Sequence, residues 1–191
     1  MKHAPSARSP GGQALAEFAI VFPVLVLILA AILQFGLIFS SQIGLTNSVR
    51  EAARYGSVLG VLDSSSATAA RTAVLSHLVG TGGTCGSTGL LARNVHPFAC
   101  AGDDNSPGLG PTSFDAAYCR YGNTVNSDWS VRISVVVFYN HPLMLPIVGN
   151  IIDALDGGTP GSYRLGASEQ MRVENRPDLK SQDVTTLPDC P

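Results

Sequence analysis

The chain has 191 residues, one domain of ordinary size, and 45% of them are hydrophobic against 14% charged, well below the share of charge that soluble domains carry. Lys+Arg number 12 and Asp+Glu 14, a net charge of −2, which supplies no general attraction to nucleic acid or to an acidic surface and puts nucleic-acid binding last among the candidate functions. Gly 20 and Pro 12 stand near background, so a disordered or collagen-like chain is excluded as well.

The first 12 residues, MKHAPSARSPGG, carry Lys2 and Arg8 and no acid. From Phe18 to Val49 there is no charged residue, and the 22 residues Phe18–Phe39 are almost purely apolar. At 1.5 Å rise per residue such a helix is roughly 33 Å long, close to the hydrocarbon thickness of a bilayer. A soluble core helix of this length would keep a polar stripe, so the segment reads as a membrane span, and no second segment of that kind exists. The basic start predicts a cytoplasmic N-terminus, with the long C-terminal part across the membrane.

Pro10-Gly11-Gly12 breaks any helix upstream, so the helix is expected to begin near Gln13, with Glu17 in its first turns where the helix dipole favours an anion. Pro23 removes one backbone hydrogen bond and predicts a mild kink. Beyond the span, Leu45, Val49 and Ala52/Ala53 form an apolar stripe, with Arg50, Glu51 and Arg54 turned to water. Small residues recur every fourth position at Gly36, Ser40, Gly44, Ser48, Ala52 and Gly56. A four-residue step drifts about 40° on a 3.6-residue helix, so only Gly36, Ser40 and Gly44 can share one straight seam, a candidate for close helix packing.

After a polar break at Asp63–Ser66, Ala67–Val79 reads as a shorter helix with Ala67, Ala70, Val74 and Leu78 on one side and an N-cap from Ser64–Ser66. His77 is an exposed or half-buried helix residue. Residues 80–128, rich in Gly, Thr, Asn and Asp, are expected to be irregular. Trp129–Tyr139 is the clearest strand, with Trp129, Val131, Ile133, Val135, Val137 and Tyr139 on one face, ended by Asn140-His141-Pro142. Ile147–Leu155 is expected as a short helix, and Gly157–Gly161 as a turn. Tyr163–Glu174 alternates again as an antiparallel partner, its other face carrying Arg164, Arg172 and Glu174. The fold class is therefore α+β: a long N-terminal transmembrane helix continuing into a helix packed on an antiparallel sheet. The expected division is a leader at 1–12, the helix at 13–56, the exported domain at 57–176 and a mobile tail at 177–191.

Cys85, Cys100, Cys119 and Cys190 all lie in the exported part, where an oxidising compartment lets disulfides persist. Three connectivities are open. Cys85–Cys100 with Cys119–Cys190 is the first choice, because one pair closes a short loop and the other ties down the tail. A zinc set of Cys85, His96, Cys100 and Cys119 lacks the short C-x₂₋₄-C spacing of structural sites. Gly80–Gly83 is followed by no Lys-Ser/Thr and is not a phosphate loop, and neither G-x-S-x-G nor H-E-x-x-H occurs, so no catalytic residues, cofactor or metal are expected.

Three readings of the N-terminus compete. A secretory signal peptide has a shorter apolar core and a small-residue cleavage site, whereas here the run is longer and helical character continues beyond it. A plain uncleaved anchor leaves Glu17 unexplained, because a carboxylate within a span costs about 2.5–3.5 kcal/mol, somewhat less near the interface. The third reading makes Gly12, Gln13, Glu17 and Phe18 a processing site. Gly12, four residues, then Glu17-Phe18 resembles the site at which prepilins of tight-adherence (Flp/Tad, type IVb) pili are cut. Gln13–Pro23 (QALAEFAIVFP) followed by Leu45–Gly56 (LTNSVREAARYG) resembles the TadE family of minor pseudopilins over residues 11–56, and Met171-Arg172-Val173-Glu174 is similar to its closing segment. Phe22 stands where Leu is usual before Pro23, and the four cysteines exceed what the family requires. The 135 residues after Gly56 are too few for the von Willebrand-like domain of the larger TadG-type relatives.

The resemblance implies a structural subunit in pilus assembly, processed after Gly12 by a prepilin peptidase. Its implied partners are that peptidase, other pilins or pseudopilins, the assembly platform and the lipid bilayer. From another class, the alternative is an uncleaved, membrane-anchored extracytoplasmic binding domain unrelated to pili.

Overall fold

Apolar residues of good helix propensity, with no second proline to interrupt them, give one helix, α1 (Gly11–Ser57), of 47 residues and about 70 Å. It begins two residues ahead of the expected start and carries Pro23 within it. The computed structural model describes residues 11–61, 63–81, 88–95, 111–123, 128–144, 161–174 and 186–190. The expected helix at Ile147–Leu155, and the sites of Cys85, His96 and Cys100, lie outside the described residues.

The helix has two halves. Up to Leu33 its apolar side chains are largely exposed, whereas from Gln34 onward positions 34, 38, 41, 45, 48, 49, 52 and 53 are buried. Steps of three and four residues place these on one face, including the predicted stripe of Leu45, Val49, Ala52 and Ala53, with Arg50, Glu51 and Arg54 exposed.

The second helix, α2 (Ser64–Val79), is capped one residue earlier than expected, by Asp63 and not by a serine. Asp63 Oδ1 accepts from the Ser66 amide at 2.8 Å while the Asp63 amide donates to Ser66 Oγ at 3.0 Å, a reciprocal capping box. These bonds, with those from the Ser66 and Ser65 hydroxyls, pull the Asp63 carboxyl down to about 2. Ala70, Val74 and Leu78 are buried as the spacing predicts, and Ala67 is half-buried. His77 is half-buried and stacks on Tyr55, ring centroids 4.6 Å apart.

Residues 80–128, expected to be irregular, contain a short helix α3 (Leu90–Asn94) and a 13-residue strand β1 (Pro111–Asn123). Strand β1 alternates Phe114, Ala116 and Tyr118 inward, but two alanines and the Pro/Gly flanks mute the signal, and its partner supplies the rest. That partner is β2 (Asp128–Pro142), which runs past the end expected at Asn140-His141-Pro142 because those residues pair with Arg164, Tyr163 and Ser162 of β3 (Ser162–Arg172) on its other side. The sheet is an antiparallel meander, β1-β2-β3, with Tyr118 opposite Ile133 and Val137 opposite Ala167. Together with the helices it bears out the α+β reading.

Val131, Ile133, Val135, Val137, Tyr139 and Leu165 on one face of the sheet form the core with α1, α2 and α3. Two glycines of α1 permit the approach. A Cβ on Gly44 would strike the backbone carbonyl of Asn94, and one on Gly56 would strike Ile133 Cδ1 and come within 2.9 Å of Val74 Cγ2.

Candidate assembly surface

The N-terminal half of α1 projects without cover from its own chain. Phe18, Phe22, Leu25, Ile28, Leu33 and Phe39 are all exposed, a continuous apolar rod far larger than a soluble monomer leaves in water. Its length and composition suit one membrane crossing, and its exposure sets it apart from the core helix of a soluble protein. At its start Gly12 is exposed with open space where a Cβ would stand. Gln13 Nε2 donates to Glu17 Oε1 at 3.1 Å across one helical turn, and Phe18 packs on Phe22 with ring centroids 5.3 Å apart. The four positions of the expected processing site thus lie within about two exposed turns of helix.

The small-residue seam divides. Gly36 and Ser40 are exposed on the rod, whereas Gly44 is buried against Asn94 inside the chain's own domain. Only the first two are available to another helix.

Opposite the membrane-facing end, the outer edge of β1 is closed by the C-terminal residues. Cys119 is bonded to Cys190, the second of the two expected pairs; Cys119 is thereby removed from any zinc set. The Arg120 amide donates to the Pro188 carbonyl at 2.8 Å, the Cys190 amide to the Arg120 carbonyl at 3.0 Å, and the guanidinium pairs with Asp189 at 2.5 Å. Leu187 is buried, so within the segment expected to be mobile up to Cys190 the anchor already begins at Leu187. Satisfying a free strand edge in this way blocks strand addition there.

Sequence reasoning missed a polar pair at the junction of rod and domain. Gln34 is only 2% exposed, and its Oε1 accepts from the Met144 amide at 3.0 Å. His141, 1% exposed, lies on β2 with its ring edge toward Tyr139, and neither ring nitrogen has a hydrogen-bond partner among the described residues. Burial pushes its pKa below the ordinary 6.5. The available signal was Gln34 itself, a polar side chain within an otherwise apolar run.

Nothing described here assembles a catalytic constellation. An open cleft of about 240 Å³ between α2, β1 and the C-terminal residues has Arg71 as its one charged lining residue, and that guanidinium is taken up by Asp115 at 2.6 Å and the Ala116 carbonyl. Among the described residues no three His, Cys, Asp or Glu side chains converge.

Residues 12–54 match the TadE family, described as TadE-like protein. The N-terminal helix is TadE-like. The match ends less than one turn short of the end of α1, so it covers the exposed rod and most of the half that packs on the domain. It associates the chain with pilus proteins of the tight-adherence system. No curated protein and no solved structure matches the chain.

Proposed function

We propose that this protein is a minor pseudopilin, a structural subunit for assembly of a tight-adherence pilus. One observation carries the reading: the TadE-like segment coincides with a helix whose first half is bare and apolar and whose second half is sealed into a folded domain. Such a subunit is held in the bilayer by the rod, N-terminus cytoplasmic and domain extracytoplasmic, and enters an assembly by exchanging lipid for neighbouring apolar helices. Gly36 and Ser40 offer a close-packing site on that rod.

Maturation is by a prepilin peptidase at the cytoplasmic face, cutting between Gly12 and Gln13. The cut creates an α-amino group on Gln13, one turn from Glu17, and so supplies a cation that this carboxylate lacks among the described residues. The pair forms within one subunit or across to the next as helices pack, which makes Glu17 the docking charge. The remaining partners are other pilins or pseudopilins and the membrane platform.

Intact-mass measurement of the protein from pilus-forming cells tests this directly. The expected mass lacks residues 1–12, and Gly12→Val retains them, because only a residue without a side chain fits a cleft that must grip the peptide bond. Retention of Met1 in wild-type protein from such cells would favour the uncleaved anchor carrying an extracytoplasmic binding domain.

A further inference from the structure

The base of the exported domain and the upper end of the rod overlap. Gln34 is 16 residues beyond Phe18, so a helix standing upright from the cytoplasmic face puts it about 24 Å into hydrocarbon that is about 30 Å thick. Any tilt shortens that rise and leaves Gln34 further below the outer face. Yet Met144, at the foot of β2, is hydrogen-bonded to Gln34, and Ile38, one turn higher on α1, is also buried. The foot of the strand therefore reaches below the level at which the rod leaves the membrane.

The chemistry of that foot agrees with its depth. Met144 is 63% exposed, Leu143 is half-buried against the core, and from Pro142 to Ile152 the sequence has no charged residue. Exposed apolar surface is thus continuous from the rod onto the domain. The contact meets one need on each side: Gln34 Oε1 is shielded from lipid and paired, while Gln34 Nε2 is buried with no partner among the described residues, and the Met144 amide, beyond the last strand pairing, gains an acceptor where water is scarce.

We propose that the base of the domain, at Leu143 and Met144, is a second membrane contact seated in the outer interfacial layer of the bilayer beside α1. The domain does not stand clear of the membrane on a free helical stalk; it rests in the surface, which fixes its height and limits its swing about the rod. This inference rests on the reading of α1 as a span. Its occupant is lipid, and the opposite end of the sheet supplies the contrast: Tyr121, paired with Ser130 near the start of β2, lies about 45 Å up the strand from Met144 and is also exposed.

The full-length protein, inserted in vesicles of phosphatidylethanolamine and phosphatidylglycerol, is labelled with the photo-crosslinking residue p-benzoylphenylalanine at one position at a time: Leu27 in the rod, Met144 at the base, Tyr121 at the far end. After irradiation, lipid adducts are read by mass. The expected result is adducts at 27 and 144, with position 121 at least tenfold lower. Adducts at 27 but none at 144 overturn the inference and leave the span intact. No adduct at 27 removes the span and the inference with it. Equal adducts at 144 and 121, or crosslinks from 144 to a second copy of the protein in place of lipid, also overturn it.

Discussion

The Tyr118 hydroxyl donates a 2.9 Å hydrogen bond to the Gly56 carbonyl, joining the middle of β1 to the last turn of the long helix. The bond is buried, and burial also raises the Tyr118 pKa above the ordinary 10.0, which favours the protonated, donating form. The same glycine admits Ile133 and Val74 to the helix surface, and the Glu174 amide donates to the neighbouring Ser57 carbonyl at 2.9 Å. The end of α1 is therefore where helix and sheet are fastened.

Tyr118→Phe removes this donor while the Leu59 amide still reaches the Gly56 carbonyl at 3.3 Å, and is expected to cost about 0.5–1.5 kcal/mol in urea unfolding of the protein in detergent micelles. Gly56→Ala adds a methyl where Ile133 already stands, and a loss of about 1–3 kcal/mol is expected from overpacking. Unchanged midpoints for both variants would show that the fastening lies elsewhere.

Two glycines eight residues apart on the same helix are expected to behave oppositely. Gly44→Ala meets the backbone of Asn94 and should lower the unfolding midpoint. Gly36→Ala has open space around the new methyl and should leave the monomer as stable as before, or slightly more so from helix propensity. If Gly36 is an assembly contact, its variant instead lowers subunit crosslinking, a readout independent of stability.

Cys119 and Cys190 close a loop across a separation of 71 residues. The double variant Cys119→Ser/Cys190→Ser should lose roughly 2–4 kcal/mol by releasing the unfolded chain from that constraint. It should also free the Arg120 and Cys190 amides from the edge pairing, which hydrogen exchange resolved at these two residues would register as faster exchange. Unaltered exchange would mean that Leu187 and the Arg120–Asp189 pair hold the edge unaided.

His141 makes stability depend on pH in a defined direction. Its pKa in the folded protein lies below the ordinary 6.5, so on acidification the unfolded chain takes up a proton that the folded one refuses. Stability is expected to be level above pH 6.5 and to fall as pH drops below it. His141→Phe keeps a ring of similar shape without the two unpaired nitrogens and should flatten the profile while raising stability near neutrality. Midpoints at a series of pH values for both proteins decide it; parallel profiles would assign the dependence to other groups.

Glu17→Gln keeps the shape of the side chain, and an amide can still pair with Gln13. Insertion and cleavage should continue, whereas crosslinking to other pilus components should fall several-fold because the new α-amino group has lost its counter-charge. Undiminished crosslinking would reduce Glu17 to a residue that merely favours the start of the helix.

Sequence alone determined the elements whose periodicity is local. The 22-residue apolar run stands in the structure as one uninterrupted helix, and the stripe through Leu45, Val49 and Ala52 and the alternation from Val131 to Tyr139 are buried as read. The TadE-like character was legible for the same reason, since its motif is contiguous from Gly12 onward. Tertiary structure decided what depends on distant partners. Strand β1, weak in its own propensity, is made a strand by pairing with β2, and which cysteine meets Cys119 is settled by the C-terminal residues closing that strand's edge. Of three small residues at one spacing, only tertiary contact turned Gly44 inward and left Gly36 and Ser40 out, because four-residue steps drift around a 3.6-residue helix. Gln34 shows the limit most plainly: its polarity is in the sequence, but the partner that takes up its Oε1 within an apolar rod is the Met144 amide, 110 residues away.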